Sequence, residues 1–164
     1  MKRRAIYPGS FDPPTYGHID IIRRSLQIVD EVVVAVVYNP QKDSFLFTPE
    51  ERIEMFKEEL TEVGDRVSYD SFYGLLVDYA KQKNAQVIVR GIRAVTDYEY
   101  EFQMALMNRR LMPEIETVFM MPAENYSYLS SRLVKEIAEL GGSVKGLVPE
   151  IVENRLKQRF KKEK

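Results

Sequence analysis

An unbroken apolar run at residues 32–38, rich in β-branched side chains, constrains the fold of this chain more than any other feature. A strand with one face exposed to solvent would alternate apolar and polar residues. An unbroken run is instead typical of a strand covered on both faces, near the middle of a parallel sheet. Parallel neighbours are joined by crossovers that usually contain a helix. The run therefore predicts an α/β protein.

Apolar runs and helical periodicities alternate along the rest of the chain, as such a sheet requires. Further strands are predicted at residues 4–7, 66–71, 87–89 and 116–121. Helices are predicted from Tyr16 or Gly17, from a Thr48 cap, over residues 74–83, from an Asp97 cap to about residue 111, from near Ser131 and from Pro149. We expect a doubly wound, Rossmann-like sheet of five parallel strands, with helices on both faces and the first strand central. Residues 1–164 are expected to form a single domain.

Composition excludes several classes of function. A net charge of −1 argues against a general nucleic-acid binder, which needs a basic excess to displace counterions. The absence of cysteine excludes a disulfide scaffold, a thiol nucleophile and a cysteine metal site. The sequence has no apolar run long enough for a signal peptide or a membrane span, so we expect a cytoplasmic protein with no membrane partner.

The loop after the first predicted strand, at residues 7–18, is the candidate for an anion site. Its glycines and prolines favour a tight, fixed loop. The helix that follows presents free backbone N–H groups, which suit a phosphate. His18, the single histidine, falls in the first turn of that helix and could reach the same place.

Further candidate residues follow the other predicted strands. In doubly wound sheets, ligands bind at the carboxyl ends of the strands, where the winding direction reverses. The residues in these positions are Ser10 and His18, Lys42, Leu75 and Leu76, Arg90 and Arg93, and residues 126–131. We therefore expect them to share one site.

The loop also carries a family resemblance. Gly-Ser-Phe-Asp-Pro at residues 9–13, followed by Thr-Tyr-Gly-His at residues 15–18, resembles the (H/T)xGH signature of the nucleotidylyltransferase superfamily. Residues 5–19 most resemble the bacterial phosphopantetheine adenylyltransferases, and residues 90–101 and 126–132 are similar to the same family. The resemblance implies a transferase of coenzyme A biosynthesis. It would move AMP from ATP to 4′-phosphopantetheine, giving dephospho-CoA and pyrophosphate.

The resemblance implies roles for individual residues. His18 would donate to the α-phosphate of ATP as charge builds, and no general base is needed because a phosphate nucleophile is already anionic. Catalytic roles are implied for His18, Lys42 and Arg93. The ATP site would include Ser10, Phe11, His18, Gly91, Ile92, Arg93, Glu101, Tyr126, Ser127, Tyr128, Leu129, Ser130, Ser131 and Arg132. The phosphopantetheine site would include Ser10, Lys42, Leu76 and Arg90.

The sequence also supports expectations about a metal cofactor and about assembly. The sequence shows no cluster of metal ligands, so we expect Mg²⁺ to arrive with ATP and to be held mainly by its phosphates. Apolar side chains wrap around the helix predicted up to residue 111, and a second apolar face usually meets a partner. A homo-oligomer is therefore expected. The number six, a hexamer, is implied by the resemblance alone.

Several alternatives stay open. Another nucleotidylyltransferase could act on nicotinate mononucleotide or on a sugar- or glycerol-phosphate. A non-catalytic nucleotide sensor need not keep His18, Lys42 and Arg90 together. A class I aminoacyl-tRNA synthetase fragment shares a similar element. This chain is short, however, and its net charge of −1 does not suit tRNA binding. At single positions, His18 could be structural and Ser130 a plain helix cap.

Overall fold

The computed structural model describes residues 2–39, 45–93 and 95–161. Within them, five strands form one parallel sheet in the order β3-β2-β1-β4-β5. The strands are β1 (Arg4–Gly9), β2 (Glu31–Val37), β3 (Val67–Phe72), β4 (Val87–Gly91) and β5 (Glu116–Met120). The predicted fold class and the central position of the first strand are confirmed.

Helices lie between the strands and after the last one. They are α1 (Tyr16–Ser25), α2 (Pro49–Glu59), α3 (Leu76–Gln82), α4 (Val95–Leu111), α5 (Ser131–Glu139) and α6 (Glu150–Arg159), with 3₁₀ turns at Thr61–Arg66 and Glu124–Tyr126. No helix in the described ranges is both long and apolar enough to cross a membrane.

Two helix starts differ from the sequence prediction. Asp97 is not the cap of α4, because that helix begins at Val95 and Asp97 lies in its first turn. The third helix begins at Leu76 rather than at residue 74. Gly74 has a φ of +127°, a conformation that cannot belong to a right-handed helix. The predicted Thr48 cap of α2 is confirmed, with Glu51 completing a capping box.

The strand β2 is buried on both faces, as its unbroken apolar run predicts. Val32, Val34 and Val36 pack with residues of α1 and α2 on one face of the sheet. Val33 and Ala35 pack with residues of α3 on the other. A third apolar cluster forms where α2, α5 and α6 meet.

The sheet opens between β1 and β4. Strand β1 pairs with β2 along its whole length but with β4 only at Ala5 and Ile6. Pro8, further along β1, has no N–H to continue a ladder. The Arg90 guanidinium instead reaches across from β4 and donates a hydrogen bond to the Pro8 carbonyl oxygen, at 2.9 Å. The winding direction reverses between these two strands, so a crevice opens where ligands of such sheets bind.

Candidate functional site

A cavity of about 370 Å³ occupies this crevice. It is walled by the loop after β1, by the start of α1, by the end of β4 and by the segment that leads into α5. The site residues predicted from sequence that line it are Ser10, Phe11, His18, Arg90, Gly91, Arg93, Glu101, Tyr126, Leu129, Ser130, Ser131 and Arg132. The ends of three strands, β1, β4 and β5, therefore contribute residues to one cavity, whereas Leu75 and Leu76, which follow β3, do not line it.

His18 is held by the cap of its own helix. The backbone N–H of Thr15 donates to the imidazole Nδ1 at 3.0 Å, and the Thr15 hydroxyl accepts from the His18 backbone N–H. This is a capping box in which histidine takes the place usually filled by Glu or Gln. Because Nδ1 accepts a hydrogen bond, the neutral ring carries its proton on Nε2. The cap thus leaves Nε2–H as a donor on the cavity side of the helix start.

The surroundings keep this imidazole neutral. Burial, together with the positive charge of Arg93, lowers the pKa of His18 to about 3. At neutral pH the ring is therefore a neutral hydrogen-bond donor. It is suited to stabilising charge on an oxygen and not to removing a proton from a substrate.

Phe11 shapes the loop that carries Ser10. With a φ of +48°, its backbone turns the ring back over Gly9, where a Cβ would lie 2.7 Å from the ring carbons. Glycine is therefore required at position 9. The Phe11 ring packs edge-on against His18 and against Phe56, with centroids 5.0 Å away in both pairs. Its side chain belongs to the core, so any contact with a nucleotide falls to its backbone.

Asp12, two residues after Ser10, anchors the loop and does not line the cavity. Its carboxylate accepts hydrogen bonds from the backbone N–H groups of Leu46 and Phe47, both at 2.9 Å. It also pairs with Lys135 of α5 at 2.9 Å. One buried carboxylate therefore fixes the first loop to the segments before α2 and within α5.

Arg90 and Glu101 form an ion pair at the edge of the cavity. Arg90 Nε donates to Glu101 Oε2 at 2.8 Å, and Nη2 donates to Oε1. With the bond to Pro8, three of the five guanidinium N–H groups are used. Two remain for a ligand. Arg90 joins β1, β4 and α4, and its predicted contact with an acceptor phosphate stays a prediction.

Arg93 connects the end of β4 to the opposite wall. Its Nη1 donates to the Leu129 carbonyl oxygen at 2.8 Å, and its Nε donates to Asp97 at 3.2 Å. Asp97 thus holds an arginine rather than capping its helix. The side chain of Arg93 is two-fifths exposed, so it is open to a ligand in the cavity.

Both serines at the start of α5 form hydrogen bonds within the protein. The Ser130 hydroxyl caps the helix by accepting from the Leu133 N–H at 3.1 Å. The Ser131 hydroxyl donates to the Pro13 carbonyl oxygen at 2.7 Å. Arg132, next in the chain, is exposed and forms no hydrogen bond or ion pair with any residue that the structure describes. Ser130 is therefore the cap of α5, and its hydroxyl donates no hydrogen bond to any residue that the structure describes.

Other predicted site residues lie elsewhere. Ile92 uses its N–H to bond the Met120 carbonyl oxygen, and Ser127 Oγ bonds the Glu124 carbonyl oxygen. Tyr128 is exposed outside the cavity, and Leu76, the first residue of α3, packs against the core. These four do not line the cavity. Lys42 lies outside the residues that the structure describes.

Some lining residues were missed from the sequence. Thr15 holds the His18 side chain in place, and Asp97 holds the Arg93 side chain in place. Thr15 stands three residues before His18, and that capping-box spacing was a usable signal. Tyr7, at the end of an apolar strand, looked like an ordinary core residue.

The described residues of the cavity offer little to hold a metal ion directly. No group of three or more potential metal ligands exists among the described residues. The two acidic residues that line the cavity, Asp97 and Glu101, are each paired with an arginine. A Mg²⁺ ion here would therefore be held mainly by phosphate oxygens and water.

Comparisons with known proteins agree with one another. A family model described as cytidylyltransferase-like matches residues 6–137. A phosphopantetheine adenylyltransferase from Caldanaerobacter subterraneus subsp. tengcongensis is 55% identical, with 98% of this chain and 99% of the relative covered. One from Thermodesulfovibrio yellowstonii is 54% identical, with 99% of this chain and all of the relative covered.

Among solved structures, one from Vibrio parahaemolyticus described as a nicotinate-nucleotide adenylyltransferase superposes with a TM-score of 0.70. The superposition covers all of this chain and 98% of the Vibrio chain. At 19% sequence identity, the likeness shows the fold alone.

Proposed function

The chain belongs to the phosphopantetheine adenylyltransferase family, and from that premise we propose how its cavity transfers AMP from ATP to the phosphate of 4′-phosphopantetheine. The products are dephospho-CoA and pyrophosphate. An oxygen of the acceptor phosphate attacks the α-phosphorus of ATP. The bond from that phosphorus to the bridging oxygen breaks, and pyrophosphate leaves with the electron pair.

The proposal depends mainly on the protonation state of His18. The acceptor phosphate is already an anion, so the reaction needs positioning and charge stabilisation rather than a base. A neutral imidazole that keeps its proton on Nε2 is a donor of that kind. As negative charge grows on the α-phosphate oxygens, the hydrogen bond from Nε2 becomes stronger, which lowers the barrier.

Arginines on either side of His18 would divide the phosphates between them. Arg90 would use its two remaining N–H groups for the acceptor phosphate, together with the Ser10 hydroxyl and the predicted Lys42. Arg93 and Arg132 would meet the phosphates that leave as pyrophosphate, together with the start of α5. Glu101 would then act by holding Arg90 in place.

An acceptor panel tests the proposal. The purified protein is given Mg-ATP with 4′-phosphopantetheine, nicotinate mononucleotide or glycerol 3-phosphate, and pyrophosphate release is measured. We expect rapid release with 4′-phosphopantetheine and little with the other two. Rapid release with nicotinate mononucleotide alone would assign the chain to a different acceptor.

We also propose a cytoplasmic homo-oligomer that uses ATP with Mg²⁺. The reaction consumes ATP, which favours the cytoplasm. The apolar surface of α4 supports association: seven of its large apolar side chains are at least 38% exposed in the isolated chain. A hexamer is the number that the family resemblance implies.

A further inference from the structure

Tyr7 is almost completely enclosed, yet it reaches the cavity. It lies on β1, only 4% exposed, and its ring packs against Phe11 with centroids 5.2 Å apart. Tyr7 is nevertheless one of the residues that line the cavity. The hydroxyl oxygen is 3.8 Å from the point that a Cβ on Gly91 would occupy, at the end of β4. The phenol thus spans the gap between the two strands where the sheet opens.

The hydroxyl has no hydrogen-bond partner in the part of the chain that the structure describes. Its oxygen is also not one of the polar side-chain atoms that are completely buried without a partner. By contrast, the Tyr79 hydroxyl donates to Asp70 at 3.0 Å. A buried hydroxyl that lacks a partner costs stability, and phenylalanine would fill the same space without that cost. Packing therefore explains the ring of Tyr7 but not its oxygen.

The charges around this oxygen favour an anion. Burial raises the pKa of Tyr7 well above its usual range, so the hydroxyl keeps its proton and can donate a hydrogen bond. The charges that act on Tyr7 are those of the cations Arg90 and Arg93 and of the carboxylates Asp20 and Glu101. Glu101 is already paired with Arg90, and Asp20 accepts from the Ala123 N–H and pairs with Arg24. A phosphate oxygen is the ligand atom that matches a neutral donor between two guanidinium groups.

We propose that the Tyr7 hydroxyl donates a hydrogen bond to a substrate phosphate between Arg90 and Arg93. The inference rests on the proposed function, because it takes the cavity to hold the two reacting phosphates. Phe11 packs against both Tyr7 and His18, so the two donors are held by one shared ring. Tyr7 would thus be a further residue in contact with the reacting groups.

Tyr7→Phe tests this, because it removes one oxygen and keeps the ring. We expect kcat/KM for pyrophosphate release with 4′-phosphopantetheine to fall about tenfold to a hundredfold, the usual effect of losing a hydrogen bond to a charged group. The melting temperature should stay the same or rise. Calorimetry with each substrate separately tells which phosphate is bound: weaker binding of ATP or of 4′-phosphopantetheine supports the inference, as does a loss confined to kcat.

The matched control is Tyr79→Phe, which removes a hydroxyl that has a partner outside the cavity. It should lower the melting temperature and leave kcat/KM unchanged. An active wild type together with Tyr7→Phe kinetics and affinities within twofold of it would overturn the inference. A wild type that does not use 4′-phosphopantetheine would instead count against the proposed function.

Discussion

At the scale of single residues, His18 does two different things with its two ring nitrogens. Nδ1 accepts from the Thr15 N–H and so completes the helix cap. Nε2–H is left to the cavity. The structural role of this histidine supports the proposed function, because the cap fixes the tautomer that makes the ring a donor.

Replacing His18 should separate these two contributions. In His18→Ala we expect kcat to fall by about 10²–10³, the cost of losing one such donor, while ATP affinity changes only a few-fold. The Thr15 hydroxyl still caps the helix in this variant, so losing the bond from the Thr15 N–H to Nδ1 should cost at most about 1 kcal/mol, or about 2–4 °C of melting temperature. Steady-state kinetics, calorimetry and melting on one preparation measure all three.

His18→Gln is the matched variant, because glutamine is an ordinary partner in a capping box. It should restore the melting temperature without restoring kcat. A His18→Ala protein that melts early but turns over at the wild-type rate would show that His18 is only structural.

The lowered pKa of His18 makes a separate prediction about pH. In the folded protein the pKa of the imidazole is about 3, whereas in the unfolded chain it lies near its ordinary value of 6.5. Between these values only the unfolded chain binds the proton, so the free energy of unfolding falls as the pH drops below 6.5. At about pH 5 the loss reaches at most about 2 kcal/mol.

Denaturant unfolding of wild type and His18→Ala at about pH 7.5 and about pH 5 measures this loss. The variant should lose less stability than wild type between the two values, since carboxylates contribute equally to both proteins. Equal losses would contradict the lowered pKa.

At the scale of elements, two of the three helices whose first turns line the cavity carry no acidic residue there. Helices α2, α3, α4 and α6 carry Asp or Glu in the first turn, which favours the positive end of the helix dipole. Helices α1 and α5 carry none there, and α5 has Arg132 instead. A cation in that place disfavours the helix, so the sequence gives up stability where an anionic ligand would bind.

Reversing the charge at this position should therefore improve stability and impair binding. In Arg132→Glu we expect a gain of about 0.3–1 kcal/mol in the free energy of unfolding, from the helix dipole. The affinity for ATP and for pyrophosphate should fall at least about tenfold, because a charge-assisted contact is lost. Calorimetry and denaturant unfolding give the two quantities.

Arg132→Ala separates the loss of the cation from the gain of the acid: binding should weaken, with a smaller gain in stability. Unchanged ATP and pyrophosphate affinity in both variants would remove Arg132 from the site.

At the scale of the whole molecule, most of the fold could be predicted because its signals are local. The apolar run at residues 32–38 predicts β2 to within one residue at each end. The strand-end rule predicts which segments meet. The Arg90–Glu101 pair was not predictable, because it depends on how α4 rotates against β4. The same rotation decides that Glu101 lines the cavity.

The exposed surface of α4 leads to the last prediction. Among its described side chains only Asn108 is buried, whereas Tyr100, Leu106 and Met107 are 64%, 48% and 51% exposed. Monomeric proteins rarely leave so large a contiguous apolar patch in water. Burial against other copies would gain about 25 cal/mol for each Å² of apolar surface removed from water. We therefore expect light scattering at micromolar concentration to give an assembly, with six copies as the expected number.

The double variant Leu106→Lys/Met107→Lys places two charges on this surface and should shift the protein to smaller species without unfolding it. The matched control is Leu140→Lys, which charges the most exposed large apolar side chain described, 82% exposed beyond the end of α5. That control should assemble like wild type. If Leu140→Lys dissociates and the double variant does not, the interface lies elsewhere. A wild-type protein that is monomeric would rule out association through α4 altogether.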